Sequence, residues 1–92
     1  MNMEKAVLTV IGSDKVGIIA AVSQIFAECN VNILDLSQTI MQNIFTMIML
    51  VDVAGATVPF DKLSQEISRL GASMELTMQL QHESIFDSMH QI

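Results

Sequence analysis

Residues 6–33 read AVLTVIGSDKVGIIAAVSQIFAECNVNI, and a change of rhythm inside this stretch decides the fold. Ala6 to Ile11 is a short, apolar, β-rich run that stops at Gly12, the pattern of a strand. Gly12-Ser13-Asp14-Lys15 reads as a turn. Beyond it Ile18, Ile19, Val22, Ile25, Phe26 and Cys29 recur at helical spacing, one apolar stripe over three turns. Ser13 or Asp14 is placed to cap that helix. Asn30 is placed to stop it, since Asn tolerates the left-handed conformation.

Working outward, Val31 to Gln42 predicts a second strand. Its apolar residues, Ile33, Leu34, Leu36 and Ile40, are mixed with Asn32, Asp35, Ser37, Gln38 and Thr39. Gln42-Asn43 suits a hairpin turn. Ile44 to Val53 follows as a third strand, apolar on both faces and therefore expected to be central and covered at least in part on both sides. Pro59 fits the first turn of a second helix. Phe60, Leu63, Ile67 and Leu70 form that helix's stripe, and Gly71 is its expected end. Met74 to His82 alternates between apolar and polar residues, as a half-wet edge strand does. Ile85, Phe86, Met89 and Ile92 then suggest a short third helix over about 84–91.

The order βαββαβ, with right-handed crossovers and a central hairpin, gives an α+β, ferredoxin-like sandwich. Four antiparallel strands carry two helices on one face, with the short C-terminal helix added. At 92 residues the chain is expected to be a single domain over 1–92, with its core at about 5–82.

Composition narrows the function. Apolar residues make up 51% of the chain, and eight methionines with no Trp or Tyr give a soft core. Excess apolar surface in so small a domain hints at a partner. The formal charge is −6, and the four bases, Lys5, Lys15, Lys62 and Arg69, are scattered. No basic stripe is available to neutralise phosphates, so nucleic acid is not an expected partner. Neither is an anionic membrane surface. No unbroken apolar run is longer than Met47 to Val51, which is far short of a bilayer span. The first residues have no signal-peptide layout. A single cysteine, Cys29, cannot form an intramolecular disulfide. The chain is therefore expected to be cytoplasmic.

Catalysis has little support. Cys29 lies on the apolar stripe of the first helix and reads as a small core residue rather than a nucleophile. His82 and His90 flank the predicted terminal helix and lack a third metal ligand, so they read as solvated side chains. Asp35 and Asp52 fall on neighbouring strands, with no sign of convergence for acid–base work. No cofactor or metal is expected.

One constellation points to a site. It runs Gly12-Ser13-Asp14-Lys15-Val16-Gly17-Ile18-Ile19, then Asn30-Val31-Asn32-Ile33. Gly12 allows a sharp turn out of the strand. Asp14 can accept from backbone N–H groups at the helix start. Gly17 leaves room in the first turn, where exposed N–H groups suit a carboxylate. Asn32 opens the next strand beside the loop and offers a donor and an acceptor.

This arrangement resembles the ACT domain, whose pattern is a strand, G-x-D-x-x-G-I, a helix, and an N-I pair opening the second strand. The likeness covers about Lys5 to His82. The whole chain looks like the small stand-alone bacterial ACT-domain proteins of an uncharacterised family, which carry no catalytic domain. The resemblance implies a non-catalytic regulatory module, a homodimer that binds an amino acid or similar small metabolite between two copies. The implied ligand residues are Gly12, Asp14, Lys15, Val16, Gly17 and Ile18 from one copy, with Asn32 and Ile33 from the other. Val16 stands where many relatives have Pro. The second strand, an edge under the family topology, is available for side-by-side pairing. The alternative reading is a protein-interaction regulator or a structural dimerisation module with no small-molecule ligand, using the terminal helix or a Met-rich surface.

Overall fold

A computed structural model of the chain describes residues 3–13 and 16–85. Its elements are β1 (Lys5–Ser13), α1 (Ile18–Glu28), β2 (Asn32–Met41), β3 (Ile44–Asp52), α2 (Phe60–Ser73) and β4 (Thr77–His82). The strands form one antiparallel sheet in the order β2-β3-β1-β4. This is the expected ferredoxin-like βαββαβ plan. The chain turns helical again from Glu83 to Ile85, and the rest of the expected terminal helix lies outside the described residues.

The helix-facing side of the sheet follows the period-2 pattern. Ala6, Leu8 and Val10 of β1, Phe45, Met47, Met49 and Val51 of β3, and Met78 and Leu80 of β4 are all buried. Against them α1 places Ile18, Val22 and Phe26, and α2 places Leu63 and Ile67. Met47, Met49 and Met78 are thus core residues, where an unbranched, polarisable side chain fills irregular gaps.

Both helices end in the same way. Asn30 and Glu75 take left-handed backbone, with φ of 59° each. Val31 N–H then donates to the Phe26 carbonyl, and Leu76 N–H to the Gly71 carbonyl, both at 2.8 Å. These are Schellman closures, which satisfy the last helical carbonyls and turn the chain back onto the sheet. Gln42 and Asn43, both with positive φ, make the tight hairpin between β2 and β3.

Three sequence expectations change. Gly71 does not end α2, which runs on to Ser73. A Cβ at Gly71 would come within 2.9 Å of the Leu76 carbonyl oxygen and Met78 Cγ, so glycine is there to let helix and strand approach. For the same reason β4 begins at Thr77 rather than Met74, which belongs to the helix closure. Finally, β3 is central but not covered on both faces. Ile44 and Ile48 on its far side are exposed, because both helices lie on the other side.

Candidate functional site

The loop after β1 differs from the expected turn. Gly12 and Ser13 belong to β1. Asp14 and Lys15 lie outside the described residues, and Val16 and Gly17 form a turn directly ahead of α1. Gly17, not Ser13 or Asp14, is the N-cap of α1, with φ of 89° and no side-chain cap. Left-handed backbone at that angle costs an L side chain about 1–2 kcal/mol, which glycine avoids. Its carbonyl accepts the first helical bond, from Ala21 N–H at 2.9 Å. The N–H groups of Ile18, Ile19 and Ala20 precede that bond and have no partner within the helix. Val16 beside them is fully exposed. Ile18 is buried, so only its backbone N–H can face a ligand.

Gly12 acts differently from expectation. Its φ is not positive, and a Cβ there would overlap Leu76 Cδ2. It is a close-approach residue beneath the α2–β4 turn. Gly12→Ala is expected to cost about 1–3 kcal/mol through overpacking, read as a lower denaturant midpoint.

Asn32 does not lie beside this loop. It pairs with Asp52, which pairs in turn with Lys5, at the opposite end of the sheet from Ser13. The two halves of the expected site are separated by the length of β1, about 25 Å at the usual rise of a strand. Asn32 instead lines an open cleft of about 330 Å³ with Ala27, Asn30, Val31, Asp52 and Gly55. Asn30 Nδ2 donates to the Gly55 carbonyl at 2.9 Å, fixing the cleft's outer wall. Asp52 Oδ1 accepts from Glu4 N–H at 3.1 Å and Ala54 N–H at 3.0 Å. A β-bulge between Ile33 and Asp35 follows, and Ile33 stays exposed. The sequence reading missed Asp52 and Gly55 as cleft residues. Their only signal was the β3–α2 loop, whose return to the start of β2 is a matter of topology.

The other reactive groups have structural work. Asp35 Oδ1 accepts from Leu36 N–H at 2.8 Å, an Asx-type contact within the strand. Cys29 is buried at the end of α1. Burial, aided by the carboxylates of Glu66 and Glu28, pushes its thiol pKa up, away from the reactive thiolate. His82 is not simply solvated. It stacks on Phe60 with centroids 3.9 Å apart, and its Nδ1 lies 3.6 Å from Glu4 Oε2. His90 lies outside the described residues. Among the described residues no three His, Cys, Asp or Glu side chains gather to hold a metal ion, and no helix is long and apolar enough to cross a membrane.

Comparison with known proteins agrees with this fold. The sequence pattern of the ACT domain matches residues 4–81. A UPF0237 protein of Clostridium acetobutylicum is 53% identical over 88 residues, covering 96% of this chain and 99% of the relative. A UPF0237 protein of Methanocaldococcus jannaschii is 49% identical, covering 98% and 100%. Among solved structures, an ACT domain protein from Streptococcus pneumoniae superposes with a TM-score of 0.78 at 37% identity, over 94% of this chain and 97% of that one.

Proposed function

The chain belongs to the ACT domain family, and on that premise we propose that it is a non-catalytic, cytoplasmic regulatory module, a single domain over 1–92. Two copies bind an amino acid or a similar small metabolite between them. One observation carries the reading. The exposed helix start at Gly17 and the Asn32 strand start lie at opposite ends of the sheet within one copy, so a site that uses both needs a second copy.

The sheet supplies the means. β2 is an edge strand in which every residue but Leu34 is exposed, including Ile33, Leu36 and Ile40. An unpaired edge with apolar side chains is a template for strand pairing. A second copy related by a two-fold axis through the middle of β2 runs antiparallel to the first. Its Asn32 and Ile33 then fall beside Met41, at the end of the sheet where α1 begins. In this pairing the backbone N–H groups at Gly17 and Ile18 hold the ligand carboxylate. Asn32 takes the amino group or a polar side chain. Gly12, packed against Leu76, holds the end of β1 that leads into the loop, and Asp14, Lys15 and Val16 complete the site.

The test is a thermal-shift panel of amino acids followed by calorimetry. A ligand at 100 times its Kd adds about 2.7 kcal/mol. For a domain of this size that raises Tm by about 10–20 °C. A flat panel at millimolar concentration would overturn metabolite binding. A dimer that persists through that result would favour a structural dimerisation module.

A further inference from the structure

We propose that the exposed part of the sheet face opposite the helices docks onto the same face of a second copy of this chain. This surface is separate from the β2 edge. Strand register places Thr9, Ile11 and Ser13 of β1 on it, beside Ile44, Thr46, Ile48 and Leu50 of β3, whereas Val7 in the same row is buried and marks where the exposed part ends. β2 adds Ser37, Thr39 and Met41, and β4 adds Thr77 and Gln79. Ile11, Ile44, Ile48 and Met41 are 41–68% exposed and surround Thr46 as one contiguous patch.

Charge selects the occupant. The chain carries a formal −6, yet none of these positions is ionisable. The charged residues of this face, Lys5, Asp35 and Asp52, sit together at its far end. A charged partner surface would desolvate its ions against isoleucine with nothing to pair them. A second copy brings a surface equally free of charge, and its own acidic groups stay at the rim. The two-fold contact is isologous, so each isoleucine meets an apolar counterpart.

Area sets the strength. Three strands about 4.8 Å apart, over about six residues each, expose about 300 Å² per copy. Stable interfaces bury about 800 Å² per partner, so this stack is weak and concentration-dependent. Side-by-side pairing at β2 would put two such patches on each dimer and strengthen it.

The experiment is native mass spectrometry with sedimentation across a concentration series. It uses the full chain and its variants Ile48→Lys and Ile44→Lys, with circular dichroism to confirm folding. Both positions are exposed, so lysine has room in the monomer. The wild-type mass is expected to rise with concentration to an even multiple that both variants halve. An unchanged mass in both folded variants would overturn the proposal, whatever the β2 edge does. If the variants leave monomers rather than dimers, the face contact stands and pairing at β2 fails.

Discussion

Phe26→Ala is expected to lower the unfolding free energy by about 3–5 kcal/mol, the largest single loss from this core. Phe26 is fully buried and is the bulkiest residue on the inner face of α1, which docks through Ile18, Val22 and Phe26. Its carbonyl also closes the helix by accepting from Val31 N–H. Truncation leaves a cavity between helix and sheet that neighbouring isoleucine and methionine side chains fill only in part. A domain of this length has about 5–14 kcal/mol to lose. The expected fall in Tm is therefore about 15–30 °C, measured by calorimetry. A loss below about 1 kcal/mol would mean that α1 does not hold the core as described. Because α1 presents Gly17 at one end and Asn30 at the other, the same substitution should loosen both halves of the proposed site.

The second large effect is complementation between defective copies. Gly17→Leu and Asn32→Ala are each expected to weaken ligand binding at least about tenfold, by blocking the helix N–H groups or removing the polar partner. A Cβ at Gly17 meets nothing within 4 Å, so the leucine variant suffers backbone strain without a clash and stays folded. Mixed and allowed to exchange subunits, the two variants form hybrids in which one of the two sites is wholly wild-type. About one quarter of all sites should then bind with native affinity, as two-fold symmetry requires. Calorimetry of the mixture would show it. A site contained in one chain would give no recovery, and that outcome would defeat the shared-site reading.

Much of this fold is legible in the chain because its signals are local. The stripe Ile18, Val22, Phe26, the Asn30 stop, the Gln42-Asn43 turn and the apolar alternation of β4 through Met78 and Leu80 each follow from one element's own pattern. The errors fall where two elements meet. Gly71 looks like a helix end, yet it is the point where α2 and β4 approach. Gly12 looks like a turn residue and instead makes room for Leu76. The sequence places Gly12 and Gly17 a few residues apart and suggests one role for both. In fact one answers to packing and the other to a positive φ. The site is harder to read for the same reason. Asn32 follows α1 in the chain, and the helix carries it the full length of the sheet.

The amino-acid sequence by itself determined the element order, the helix-facing core and the loop of interest, since burial periodicity and backbone preference act over a few residues. Only the tertiary structure decided that the loop and Asn32 lie at opposite ends of the sheet, and that Ile44 and Ile48 face away from both helices. Those facts depend on strand order and register, which join residues far apart in the chain and leave no mark in any one segment.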